Sequence, residues 1–175
     1  MSENIKFISI GKTIYVPVKS VKMLMDAKAD VAKNRIKEAK LSNKILNTVP
    51  KNETRVSLVI MDDDTIYLTR YRADTINDRL RSTGTFTLKV APGIYIPVDN
   101  IKGIYGFSTT LATKLRKEHK DDTSISLVRG TKKRKSTLVL ETGEFINVAY
   151  PPETLIDSIK KAYHQVGTLL HSSRQ

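Results

Sequence analysis

With 175 residues, 39% of them hydrophobic, the chain can form one ordinary domain or two small ones, each with a proper core. It has no Cys, which excludes a disulfide framework, a thiol nucleophile and thiolate metal sites, and agrees with a reducing compartment. The 30 Lys and Arg against 18 Asp and Glu leave a formal charge of +12, which points to a polyanionic partner such as nucleic acid and, more weakly, to an acidic membrane or protein surface.

Met1 to Ile10 has a short apolar run broken by polar residues and no small-residue cleavage site, and no stretch has the apolar length of a membrane span, so a soluble cytoplasmic protein is expected. Phe7 to Ile10 and Thr13 to Val18 read as two strands around a tight turn, with Gly11 at its first position. Pro17 lacks an amide hydrogen, so the second strand ends there or sits at an edge. Apolar residues at 21, 24, 25, 31, 32, 36 and 39 predict a helix over 21–39. Beyond a polar passage, Arg55 to Ile60 and Thr65 to Arg70 flank Asp62-Asp63-Asp64 as a second hairpin, and Asp74 is a fitting cap for a short closing helix carrying Ile76 and Leu80 inward.

The plan then recurs. Ile14-Tyr15-Val16-Pro17-Val18 returns 80 residues later as Ile94-Tyr95-Ile96-Pro97-Val98. Without a gap, Lys22 falls on Lys102, Ala32 on Ala112, Lys37-Glu38 on Lys117-Glu118, Lys40 on Lys120, Ile45 on Ile125, Leu58-Val59 on Leu138-Val139, Ile66 on Ile146 and Ile76 on Ile156. The period is far longer than a solenoid unit, so each copy should be a domain-sized module, 1–81 and 82–175. In copy two the strands read as Phe86 to Val90, Ile94 to Val98, Ser124 to Arg129, Ser136 to Glu141 and Glu144 to Ala149, with a helix around Thr109 to His119. A closing helix starts at Pro152-Glu153 and runs towards His171, with Leu155, Ile156, Ile159, Tyr163, Val166, Leu169 and Leu170 as an apolar stripe. That stripe covers its own core or joins a homodimer.

The fold class is therefore α+β with an internal duplication: two small modules, each a hairpin, a basic helix or loop, another hairpin and a closing helix. So few strands must curl, or pair with the other copy, to hide their edges, which suggests a small SH3-like or Tudor-like barrel. Residues 94–104, IYIPVDNIKGI, and 136–162, STLVLETGEFINVAYPPETLIDSIKKA, resemble the small flagellar FlbD family, whose members run strand, I.P..I..I, strand, turn with Gly, strand and closing helix. In copy one Asp63 stands against Gly143, and a long basic segment is inserted mid-module. The resemblance implies a fold and no activity.

No catalytic constellation emerges. Gly11-Lys12-Thr13 lacks the upstream Gly of a phosphate-binding loop, Asp62-Asp63-Asp64 reads as a turn rather than a cation site, and His119, His164 and His171 have no ligand spacing. Neither a metal nor a cofactor is expected, and the chain reads as a non-enzyme. The charge is more informative. Lys19 to Arg55 carries 10 basic against 4 acidic residues, and Lys114 to Lys135 carries 9 against 3, so these two segments hold the whole excess. Lys33, Lys37, Lys40 and Lys44 line one predicted helix face, and Lys37 and Lys40 recur as Lys117 and Lys120. Arg129-Gly130-Thr131-Lys132-Lys133-Arg134-Lys135 is a basic tip between two strands. Tyr67, Tyr71, Tyr105 and Phe107 offer stacking surfaces or simple packing.

The expected function is nucleic-acid binding, DNA over RNA, through duplex phosphates with low sequence specificity, in transcription modulation or genome organisation. The alternative is a protein-interaction factor whose basic face meets an acidic host surface, such as RNA polymerase or a defence protein. Its Lys, Ile, Asn and Thr usage and small basic build suit a bacterial or bacteriophage accessory protein.

Overall fold

The computed structural model describes residues 4–118, 124–128 and 132–172, the side chains of 124, 125 and 166–172 excepted. It has mixed α+β architecture with four α-helices among the described residues, and divides into compact units at Met1–Pro97 and Val98–Gln175.

The first unit runs β1 (Phe7–Gly11), β2 (Ile14–Pro17), β3 (Val21–Asp26), α1 (Asp30–Leu41), β4 (Ile45–Asn47), β5 (Ser57–Met61), β6 (Ile66–Thr69), α2 (Ala73–Ser82), β7 (Thr87–Ala91) and β8 (Ile94–Pro97). β1 and β2 form a two-stranded sheet, and the other strands form a six-stranded sheet in the order β4-β6-β5-β3-β8-β7. β4 runs parallel to β6, and the other pairs are antiparallel. A core of Ile8, Ile10, Val16, Val21, Leu24, Val59, Ile76 and Leu80 joins the small hairpin, the large sheet and α2.

Two local expectations change. Val21 to Asp26 is a strand, and the helix begins only at Asp30. Val21 through Met25 are all buried, Lys22 among them, because β5 and β8 flank the strand and both its faces are covered, an environment in which a largely apolar run makes a strand. The first hairpin turns at Lys12-Thr13, with Gly11 closing β1 and Thr13 in the left-handed region at φ 57°. In the second hairpin Gly93 takes that position at φ 71°. Pro17 and Pro97 close their strands, where a missing amide hydrogen costs no ladder bond.

The second unit runs β9 (Ile101–Gly106), α3 (Thr110–Glu118), β10 (Ser124–Ser126), β11 (Ser136–Leu140), β12 (Phe145–Val148) and α4 (Pro152–Ser172). Its sheet has the order β10-β12-β11-β9, with β10 parallel to β12. Within α4, Leu155 is buried, Ile159 is half-buried, and Ile156 and Tyr163 are exposed, so the stripe is only partly covered; Val166, Leu169 and Leu170 lie outside the described side chains.

The pairings of the first unit recur in the second. Leu24↔Val59 and Asp26↔Ser57 become Ile104↔Leu138 and Gly106↔Ser136, which places β9 80 residues after β3 but β11 79 after β5. The shorter offset already holds at β10, where Ser124↔Phe145 answers Ile45↔Ile66, and continues to Tyr71 and Tyr150, whose carbonyls accept from Ser57 and Ser136. The ungapped correspondence is therefore wrong beyond α3 by one residue: Ile45 answers to Ser124, Ile66 to Phe145 and Ile76 to Leu155. Gly143 answers to Asp64 instead of Asp63, and both hold positive φ, 88° and 68°. A gap that falls in a connection leaves each flanking register intact, and ungapped sliding cannot detect it.

Candidate nucleic-acid interface

In the first unit α1 presents Lys33, Lys37 and Lys40 to solvent while Ala32 and Ala39 are buried beneath. Lys44 lies beyond the helix. The chain leaves α1 through a Schellman motif: Asn43 takes φ 55°, the amide of Lys44 donates to Ala39 O at 2.8 Å and that of Asn43 to Lys40 O at 3.2 Å. That turn sends the Lys44 ammonium to Asp63 O at 2.7 Å, so the expected four-lysine stripe is three lysines plus one fastened to the β5–β6 turn.

The second unit brings its basic groups together more closely. Thr109 caps α3, its hydroxyl accepting from the Ala112 amide at 3.2 Å, and Ala112 is fully buried. One turn further on, Arg116 lies over the Phe107 ring at 3.9 Å and donates to Phe107 O at 2.7 Å and to Thr137 Oγ1 at 2.9 Å. Arg134, at the base of the basic tip, approaches the same ring at 5.8 Å. The tip is pinned at Lys135, whose amide donates to Val148 O at 2.8 Å and whose carbonyl accepts from Phe107 N at 3.0 Å. Lys132, Lys133, Arg134, Lys135 and, on α3, Lys117 are exposed. Lys120 and Arg129 lie outside the described residues.

Burial, and then the nearby charge of Arg134, push the Arg116 guanidinium below its ordinary range. A guanidinium does not release its proton in a protein, so the shift expresses first the cost of burying the Arg116 charge and second its repulsion by Arg134. An anion set beside them relieves that cost. Arg116 was not singled out from the sequence, although the repeat register carries a signal: Arg116 stands where α1 has the half-buried Ile36.

The other aromatic candidates divide. Tyr67 packs against the core, Tyr105 is half-buried on β9, and Tyr71 lies between Arg70 at 5.3 Å and Arg79 at 4.3 Å. Arg70 is also held by both oxygens of Glu53 at 2.7 and 2.8 Å. Among the described residues no group of three or more acidic or His side chains could hold a metal ion, and no described helix is long and apolar enough to cross a membrane.

Residues 7–80, from β1 to within α2, match the model of the RemA-like family, described as extracellular matrix regulatory protein A-like, a family of small regulatory proteins. No curated protein matches the chain, and neither comparison bears on the flagellar or SH3-like resemblance.

Proposed function

We propose that the chain is a non-enzymatic nucleic-acid-binding protein that engages duplex DNA through its phosphates, with little reading of sequence, and acts in transcription modulation or genome organisation. The observation that carries this reading is the tip Lys132 to Lys135, exposed and fastened at its base to β12 and to the Phe107 backbone, with Arg134 and Arg116 sharing the Phe107 ring. A cationic segment anchored to a sheet presents its charges with less ordering cost than a free loop, and phosphate contacts need positioned cations rather than base-edge geometry. The regulatory description of the family matched by residues 7–80 agrees with such a role.

The test is binding to unrelated duplexes at rising salt. Several phosphate contacts give a steep fall in affinity, and replacing Lys132, Lys133, Arg134 and Lys135 by Ala lowers the slope by about one for each phosphate that is no longer neutralised. No binding at about 50 mM salt would overturn the reading.

A further inference from the structure

Equivalent elements of the two halves have unequal partners. In the first unit β3 is held on both sides, by β5 and by β8. Its counterpart β9 ends its sheet and, among the described residues, pairs with β11 alone. Burial follows: Val21 to Met25 are buried, whereas no residue of β9 is. The hairpins show the converse. Ser9↔Tyr15 and Gly11↔Ile14 repeat as Lys89↔Tyr95 and Ala91↔Ile94, bulge included, yet β7–β8 is docked on β3 while β1–β2 forms a sheet by itself. Tyr95 is 8% exposed and Tyr15 64%.

We propose that β9 receives the β1–β2 hairpin of a second copy of this chain, by the strand addition that seats β8 on β3, so that copies join head to tail.

The residues at the joint change in matched pairs. The ladder Leu24↔Tyr95 and Met25↔Ile94 becomes Ile104 with the second copy's Tyr15, and Tyr105 with its Ile14. At the turn, Asp26 N donates to Gly93 O at 2.8 Å, and a Cβ on Gly93 would lie 2.8 Å from the Asp26 Cβ, so Gly93 must lack a side chain. In the proposed joint the equivalents are Thr13 and Gly106: the side chain has moved to the hairpin and the glycine to the strand. On the helix side, the Tyr95 hydroxyl donates to Asp74. Glu153, exposed in the first turn of α4, is the acid in that position for Tyr15. Finally, Thr87 donates to Asn77, both buried. Their counterparts are Phe7 and Ile156, an apolar pair, 54% and 39% exposed in the single chain. A polar pair in the internal joint thus faces an apolar pair in the other, and an unrelated partner on β9 would not account for this matching.

Such a contact is heterologous: each addition leaves one hairpin and one β9 edge open, so it propagates until it closes. Sedimentation velocity of the full chain from about 1 to about 100 µM should show association that grows with concentration. Gly106→Asp sets a side chain against Thr13, the Thr109 methyl 3.1 Å from the new Cβ shifting to admit it, and should weaken association about tenfold or more while the melt shows folded protein; adding Thr13→Gly rebuilds the Gly93–Asp26 joint and should restore it. Ile156→Asp should weaken it as well, at an exposed position where the fold tolerates the change, with circular dichroism melts confirming folded protein. A monomer throughout, an assembly indifferent to Gly106→Asp and Ile156→Asp, or a Gly106→Asp defect that Thr13→Gly does not repair would each overturn the proposal. Association indifferent to these variants but lost on truncating α4 would assign it to that helix instead.

Discussion

Lys22, 1% exposed in the centre of the six-stranded sheet, donates from its ammonium to Asp64, which lies across the β5–β6 turn in the left-handed region at φ 68°. The pair joins an interior cation to a rim carboxylate. Removing only the acid takes a charge-assisted bond from the buried cation, so Asp64→Asn, which keeps the backbone geometry accessible, should destabilise the protein by about 1–3 kcal/mol in urea unfolding. Lys22→Met removes the cation and keeps the stem, and should cost about 1 kcal/mol or less. Burial raises the Asp62 carboxyl and Lys22 opposes that rise, so in Lys22→Met the Asp62 titration, followed by NMR, should move further up.

Asn43 bears the positive φ that lets α1 end in its Schellman motif. Asn43→Gly should hold or raise the melting temperature, whereas Asn43→Ala should lower stability by about 1 kcal/mol, since a Cβ without a compensating side-chain amide is penalised there. Equal melts for the two variants would contradict the assignment.

The tyrosines should titrate in two extremes. Burial, reinforced by the bond to Asp74, pushes Tyr95 up to about 12, while the hydrogen bond with Arg70 holds Tyr71 below the ordinary range. In absorbance titration Tyr71→Phe should remove the earliest phenolate and Tyr95→Phe the latest. Because the folded Tyr95 value lies above the unfolded one of about 10, its contribution to stability is complete below pH 10 and is lost as pH rises towards 12. Tyr95→Phe should therefore flatten stability over that window.

Arg116 serves structure and surface together, through Phe107 O, Thr137 and the ring. Arg116→Lys keeps the charge but loses the planar fork, and should destabilise by about 1–2 kcal/mol. Phe107→Leu keeps apolar volume but removes the face shared with Arg134. It should weaken duplex binding about two- to fivefold while leaving the salt slope unchanged, since no charge is removed.

Much of this fold was legible in the chain. Both hairpins, both basic helices and the closing helices follow from alternation, turn residues and helical spacing, and β3 and β8, which lie on either side of the expected boundary at 81, pair with each other. Val21-Lys22-Met23-Leu24-Met25 fits a helix as well as a strand by its residues, because good helix formers and a strand buried on both faces share one pattern, and only the flanking strands decide between them. Of the site, the charge run was visible in the sequence. The partnership of Arg116 with Phe107 was not, because it joins a strand end to a helix turn at a spacing no periodicity marks.

The buried bond between Thr87 and Asn77 also sets the two hairpins apart as occupants of β3. The two hairpins share a register and carry the same Ile-Tyr pair, so each is a contender for the open flank of β3. Seating β1–β2 there would press Phe7 on Asn77 and strand its amide, and would drive Thr13 into Asp26 where only a glycine fits. The flank of β3 therefore fits the β7–β8 hairpin and disfavours β1–β2, whether of the same chain or of a neighbour.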